Sequence, residues 1–143
     1  KGLGAPIGSM LCGSSEAIAR ARRVKSRLGG AWRQAGIIAA AGLHALNHHR
    51  ERLEEDHVRA RALADAVSAT GAWAPPHEVE TNIVYLDRVG RDAPAGPDLA
   101  EALARRGVLA NPTGPEQIRL VTHLDVSDRG VEQAVAAFRE IAG

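Results

Sequence analysis

Aromatic residues and cysteine are scarce in this chain of 143 residues. Tyr, Phe and Trp together make up 3% of it, so a base-stacking platform for nucleic acid is not expected. Cys12 is the only cysteine, which excludes an internal disulfide framework and a zinc ribbon. No run of about 18 apolar residues is present, so no segment is predicted to span a membrane. The net charge of +1 does not by itself indicate a nucleic-acid or membrane partner.

The composition is that of an ordinary globular protein, with 45% hydrophobic and 24% charged residues. The length fits one domain, or one domain and a piece of another. No leader with a cleavage site is visible, so we expect a cytoplasmic protein. The chain opens on Lys1 instead of Met, which we interpret as a processed product or a fragment.

Positive charge is concentrated near the start of the chain. Six cationic residues lie between positions 20 and 33, and the only acid nearby is Glu16. They are Arg20, Arg22, Arg23, Lys25, Arg27 and Arg33. A solvated helix face is the plain interpretation. The alternative is an anion site, specifically for a phosphate, because arginine suits bidentate recognition.

The spacing of apolar residues predicts a sequence of helices followed by a mixed region. Ser14 is the predicted N-cap of the first helix and Ser127 that of the last. The second helix begins near Trp32, is nearly apolar all round as far as Leu46, and is therefore expected to be buried or to lie in a subunit interface. In chain order the predicted elements are a short buried strand at 10–13 that includes Cys12, a helix at 15–28, a long helix at 32–71 that is bent near 47–50, a connector at 73–76, a strand at 81–86, a loop at 90–97, a helix at 98–106, strands at 108–110 and 118–122, and a helix at 128–142.

From about residue 50 onward, this order predicts a small open-sheet α/β or α+β domain. Arg119 stands out in it, because it interrupts an apolar strand and a half-buried arginine needs an anionic partner. That partner is either an internal carboxylate or, as a bidentate clamp, the carboxylate of a substrate.

Lysine and histidine give weaker signals. Lys1 lies in a glycine-rich loop, and on the residues alone it is a solvated terminus or a Schiff-base lysine. His44 and His48 are spaced to share a helix face, but no third metal ligand accompanies them and no metal site is predicted. His57 is interpreted as a packing residue, and His123 as an orienting, packing or catalytic one.

Five strings of this sequence, in order along the whole chain, resemble one family. They are KGLGAPIGSMLCGS, RARRVKSRLGGAWRQAGIIAAAGLHAL, RLEEDHVRARALA, TNIVYL and IRLVTHLDVS. The family is that of the low-specificity L-threonine aldolases, which depend on pyridoxal 5'-phosphate (PLP), within the aromatic amino acid β-eliminating lyases of fold type I. Ala31-Trp32 stands where this family commonly has Gly-Met, and Ser26 where it commonly has Lys.

The resemblance implies roles for three residues. Lys1 matches the lysine that binds PLP as a Schiff base. Arg33 matches an arginine near the cofactor phosphate. Arg119 matches the arginine that binds the carboxylate of the amino-acid substrate.

The resemblance also implies an α/β fold of the PLP-dependent transferase type, with residues 1–48 as the end of a large domain and 49–143 as the small C-terminal domain. The implied activity is cleavage of L-threonine, L-allo-threonine and related β-hydroxy-α-amino acids to glycine and an aldehyde. A sister PLP lyase, or a non-catalytic anion- or partner-binding module, is the alternative. The implied partners are an amino-acid substrate and further copies of the chain, as a dimer or tetramer, with no nucleic acid and no membrane.

Overall fold

The structure is a computed structural model that describes residues 2–143. It divides into two compact units, Lys1–Arg50 and Glu51–Gly143. The first unit holds two helices and the second holds a four-stranded sheet with three helices. The elements are α1 (Ser15–Arg27), α2 (Gly36–His48), α3 (Leu53–Ser68), β1 (Trp73–Ala74), β2 (Ile83–Arg88), α4 (Gly96–Ala104), β3 (Asn111–Gly114), β4 (Gln117–Val121) and α5 (Asp128–Ala142).

Helix α1 begins and ends where the sequence predicts. The Ser14 hydroxyl accepts a hydrogen bond from the Ala17 backbone N–H at 3.2 Å, which satisfies a free donor of the first turn. Glu16 lies in that first turn, where a negative charge is stabilised by the helix dipole. Gly29 follows the helix with φ +78°, a left-handed conformation that glycine adopts without strain.

The predicted buried strand at 10–13 is wrong. Residues 10–13 have no regular secondary structure, Met10 is 90% exposed, and the predicted buried Cys12 is exposed. A strand needs a neighbour to satisfy its backbone N–H and C=O groups. None of the described residues pairs with this segment, since the strands of the sheet all lie beyond residue 72.

The predicted long helix is two helices. Helix α2 ends at His48 and α3 begins at Leu53, so the bend expected near 47–50 is a complete break. Asn and His are weak helix formers, and they occupy the last positions of α2. The His49 side chain leaves the helix, and its Nδ1 donates to the Leu3 carbonyl at 2.7 Å.

Helix α2 is exposed over most of its surface. Ala45 is the one buried residue of the first unit among those described, although α2 is almost entirely apolar. Ile37 is 84% exposed and Leu43 is 61% exposed. The prediction that this helix is buried is therefore wrong for the chain as described, and its placement in a subunit interface stays a prediction.

The second unit is built on an antiparallel sheet with the strand order β1-β2-β4-β3. β4 lies between β2 and β3, with Tyr85 opposite Arg119 and Asn111 opposite Arg119 on the other side. Side chains alternate between the two faces of a strand, so one face of β2 and β4 carries Val84, Leu86, Ile118 and Leu120, all buried.

The core of the second unit lies between this buried face and the helices. Helices α3 and α4 contact the sheet, and α5 packs on both of them. The buried face of α3 includes Ala60, Ala64 and Val67, which recur at helical spacing of three and four residues. The largest fully buried apolar side chains are Trp73, Leu86, Leu99, Leu103, Ile118, Val67 and Val84.

The strands at the sheet edges were predicted least well. β3 lies at Asn111–Gly114 instead of 108–110, and it contains Pro112, which an edge strand tolerates because one side of it is unpaired. The predicted connector at 73–76 contains the two-residue strand β1. Four predicted elements are confirmed to within two residues at their starts, namely β2, β4, α4 and α5. The predicted Ser127 cap of α5 is also confirmed, because its hydroxyl accepts from the Gly130 N–H at 3.2 Å.

Within residues 2–143, none of the helices combines the length and the hydropathy needed to cross a bilayer.

Candidate active site

The outer face of the sheet in the second unit carries the strongest candidate site. Arg119 lies at the centre of β4, with Tyr85 beside it on β2 and Asn111 beside it on β3. Directly paired residues project from the same face of a sheet, so these three side chains form one row. Tyr85 is 40% exposed, and no helix of the unit covers this row.

The Arg119 guanidinium has no internal ion-pair partner among residues 2–143. No carboxylate of the described chain lies within 4.0 Å of it. Its Nε is buried and has no hydrogen-bond partner. A buried N–H without a partner costs free energy, so this donor is left unsatisfied within the chain. The sequence left two partners open for Arg119, an internal carboxylate and a substrate carboxylate. Within residues 2–143, no internal carboxylate pairs with it.

Three polar side chains lie next to Arg119 and are bonded to one another. The Gln117 Nε2 donates to the Asp87 Oδ1 at 2.8 Å, and the Thr113 hydroxyl donates to the Gln117 Oε1 at 2.8 Å. Gln117 and Asp87 are opposite each other in the sheet. The Asp87 carboxylate is therefore engaged by an amide and not by a cation.

A groove opens on the same side of the sheet. It has a volume of about 430 Å³ and is lined by the segment 76–79 together with Ile83, Tyr85 and Gln117. The groove shares Tyr85 with the row that contains Arg119, although Arg119 itself does not line it. It provides a concave surface of mixed polarity beside that row.

A buried polar contact fixes the end of β4. The Thr122 side chain is buried, and its hydroxyl donates to the Asp56 carbonyl of α3 at 2.7 Å. The Asn82 Nδ2 donates to the Thr122 carbonyl at 2.7 Å. These bonds join β4 to α3 and to the start of β2, so the strand that carries Arg119 is held at that end.

The cations of the first unit form an exposed surface on α1. None of the α1 residues is buried, and Glu16 is the single acid of the helix. Arg33 is exposed in the bend between α1 and α2. No ion pair is formed by the basic residues of α1 within the described part of the chain. Both interpretations of this charge, a solvated face and a phosphate site, remain predictions.

Of the three predicted site residues, Lys1 lies outside the residues that the structure describes. Arg33 belongs to the first unit and Arg119 to the second. Their roles as cofactor and substrate ligands stay predictions here.

The histidines make structural contacts. The His44 and His48 rings are stacked with centroids 4.2 Å apart, and the His48 Nδ1 donates to the His44 carbonyl at 2.8 Å. No group of three or more metal-ligating side chains occurs within residues 2–143. His57 is half-buried on α3, and the His123 Nδ1 accepts from the Asp125 N–H at 3.3 Å, which orients its exposed ring.

Sequence reasoning missed the side chains that surround Arg119. The sequence predicts a strand at Tyr85 but no role for its side chain, and it predicts no strand at Asn111 or Gln117. The alternation of TNIVYL would place Tyr85 opposite the buried face, but only the strand pairing shows that it neighbours Arg119.

A family model for β-eliminating lyases matches residues 1–89, which is more than half of the chain. The chain belongs to the β-eliminating lyase family. The resemblance inferred from its five sequence strings is thereby confirmed.

Named relatives agree with this membership along nearly the whole chain. A probable low-specificity L-threonine aldolase 2 of Arabidopsis thaliana is 39% identical over 99% of this chain and 40% of its own length. The low-specificity L-threonine aldolase of Escherichia coli strain K12 is 41% identical over 97% of this chain and 40% of its own length. The chain thus spans about 40% of the length of these relatives.

Solved structures show the fold of this β-eliminating lyase chain. A putative aromatic amino acid β-eliminating lyase/threonine aldolase from Exiguobacterium sp. 255-15 has a TM-score of 0.68 at 21% identity and covers 99% of this chain and 42% of its own. The ornithine aminotransferase of Toxoplasma gondii has a TM-score of 0.56 at 18% identity and covers 73% of this chain and 25% of its own. The predicted fold class, an α/β portion of a fold type I protein, is confirmed.

Proposed function

We propose that this chain is part of a PLP-dependent aldolase that cleaves L-threonine, L-allo-threonine and related β-hydroxy-α-amino acids to glycine and an aldehyde. The observation that carries the proposal is the 39–41% identity to low-specificity L-threonine aldolases over 97–99% of the chain. The unpaired guanidinium of Arg119 supports it independently, because an amino-acid substrate brings a carboxylate to such a site.

Arg119 is proposed to bind the α-carboxylate of the substrate. Two parallel N–H···O bonds from a guanidinium fix both the position and the plane of a carboxylate. With one end of the substrate fixed, rotation about the Cα centre is limited and the bond to Cβ is held in one direction. The hydrogen bonds at Thr122 keep β4, and with it Arg119, in place.

The residues of the first unit have the chemistry that a phosphorylated cofactor requires. Lys1 is proposed to attach PLP, and Arg33 to contact its phosphate. The cations of α1 have no acidic partner in the described chain, so the net positive charge of this unit favours a bound phosphate. When bound, PLP supplies an electron sink for cleavage of the Cα–Cβ bond.

The whole protein is proposed to act as a homo-oligomer, a dimer or tetramer, in the cytoplasm. The apolar residues of α2 that remain exposed, such as Ile37 and Leu43, support a covering surface from another copy. The exposed thiol of Cys12 supports a reducing compartment. We propose neither a nucleic-acid partner nor a membrane partner.

The test is a product assay on the full-length protein loaded with PLP. Incubation with L-threonine is expected to release glycine and acetaldehyde in equal amounts. The Lys1→Ala variant is expected to lose the absorbance of the covalently bound cofactor together with most turnover. A sister lyase would instead act on other members of an amino-acid panel, and an unchanged spectrum with retained turnover in Lys1→Ala would refute the assignment of Lys1.

A further inference from the structure

The acid nearest to Arg119 in the sheet, Asp87, accepts a hydrogen bond from the side-chain amide of Gln117 at 2.8 Å. We propose that Gln117 is a positioning residue that engages Asp87 and so leaves the Arg119 guanidinium free to bind the carboxylate of a substrate. The inference rests on the proposed function, since it concerns the same carboxylate site.

Asp87 is within reach of Arg119 by its place in the sheet. Arg119 pairs with Tyr85, and Asp87 lies two residues further along β2 on the same face. Such diagonal neighbours are about 7–8 Å apart at Cα and are bridged by long side chains. Among the described strand residues, Asp87 is the only acid, while the direct neighbours Tyr85 and Asn111 carry no charge.

The expected ion pair is nevertheless not formed. Asp87 and Arg119 are both half-buried, where opposite charges attract more strongly than in bulk water. No salt bridge joins their side chains in the described chain, so their charged atoms are more than 4.0 Å apart, and the Arg119 Nε has no hydrogen-bond partner. An attractive pair within reach that does not form needs a competing interaction.

Gln117 supplies that competing interaction, and Thr113 fixes its direction. The Thr113 hydroxyl donates to the Gln117 Oε1, so the Nε2 of the same amide must point toward Asp87, to whose Oδ1 it donates at 2.8 Å. A glutamine can satisfy a carboxylate in this way without adding charge. A glutamate here would place a second acid two residues from Arg119 on the same strand face.

Three variants of the full-length protein test the inference. Gln117→Leu removes the amide at similar volume and is expected to let Asp87 pair with Arg119. The KM for L-threonine should then rise about fivefold with kcat nearly unchanged. A fivefold change corresponds to about 1 kcal/mol, which is the upper value for an exposed ion pair. Asp87→Asn alone should leave KM near the wild-type value, and the double variant Gln117→Leu/Asp87→Asn should restore it.

A crystal structure of full-length Gln117→Leu gives a measurement that does not depend on turnover. The expected result is a distance below 4.0 Å between the Arg119 guanidinium and the Asp87 carboxylate, whereas the Arg119 Nε of the unsubstituted chain has no partner. If the full-length protein does not cleave L-threonine, the proposed function fails, while this distance still decides whether Gln117 restrains Asp87. An unpaired Asp87 in the variant, an unchanged KM, or no rescue by the second substitution would overturn the inference.

Discussion

The buried carboxylate of Asp56 forms an ion pair with Arg52 that we expect to stabilise the second unit. Asp56 is fully buried on α3, and it accepts two hydrogen bonds from Arg52, at 2.7 Å on Oδ1 and at 3.0 Å on Oδ2. Its backbone carbonyl also accepts the Thr122 hydroxyl, so the same residue connects α3 to the end of β4. We expect Asp56→Asn to lower the free energy of unfolding of the second unit strongly. Asparagine puts an NH₂ donor where one carboxylate oxygen accepted from Arg52, and it removes the negative charge that the guanidinium faces.

The magnitude follows from the burial of the two partners. Removing one partner of a buried ion pair costs about 3–5 kcal/mol. The Arg52 side chain is still 15% exposed, so water can partly solvate it and the lower end, about 3 kcal/mol, applies. The hydrogen bond to Asp56 raises the pKa of Arg52 above its ordinary value. Stability that depends on the charge of Arg52 is therefore lost only as the pH rises through that raised pKa, and the guanidinium stays charged throughout the neutral range.

Native-state hydrogen exchange of the full-length protein, followed by mass spectrometry, measures the effect locally. A loss of about 3 kcal/mol raises the exchange of protected amides in α3 and β4 about a hundredfold, since each 1.4 kcal/mol is a factor of ten. Glu101→Gln is the matched control, because its ion pair with Arg105 is exposed and should contribute at most about 1 kcal/mol. If Asp56→Asn and Glu101→Gln gave equal exchange, the buried pair would not stabilise the unit as argued.

Three further predictions follow from single sites. Arg119→Ala should lower kcat/KM for L-threonine at least about thirtyfold by removing the carboxylate ligand, whereas Arg105→Ala, at the exposed C-terminal end of α4, should not change it. Gly96→Ala should destabilise the second unit by about 1–3 kcal/mol in the same exchange measurement, because a Cβ there overlaps the Gly114 carbonyl oxygen, while Gly42→Ala has open space and should be neutral or stabilising. Ile37→Glu should shift the full-length protein toward smaller species in sedimentation velocity if α2 lies in a subunit interface, and an unchanged distribution would contradict that interface.

Elements that depend on local interactions were predicted well from the sequence. Ser14 and Ser127 cap α1 and α5 as expected, because a cap needs only a hydroxyl three residues from a free backbone N–H. The buried stripe of α3 follows from its helical spacing in the same way. Arg119 could be singled out from the sequence, because a charge within an apolar strand is unusual however the strand is paired.

Features that depend on distant pairing were predicted poorly. The edge strand β3 contains Pro112, which argues against a strand until its position at the edge is known. The bonds between Thr113, Gln117 and Asp87 require the register of three strands, which no spacing in the sequence specifies. The surroundings of Arg119 therefore came from the structure alone.

The two units differ in how much of their apolar surface they bury, and this difference indicates that α2 is covered by something else. The second unit buries a core of large apolar residues between the sheet and three helices, whereas the first buries only Ala45 among its described residues. An apolar helix gains its stability by removing that surface from water, so α2 needs a covering surface. Two surfaces could cover α2. One belongs to another copy of the chain, and the other to the rest of a protein as long as the relatives. They are distinguishable, since an interface between copies is lost on dilution and an intramolecular one is not. The sedimentation of Ile37→Glu should therefore be followed over a range of concentrations, and only a concentration-dependent difference from the unsubstituted protein would assign α2 to an interface between subunits.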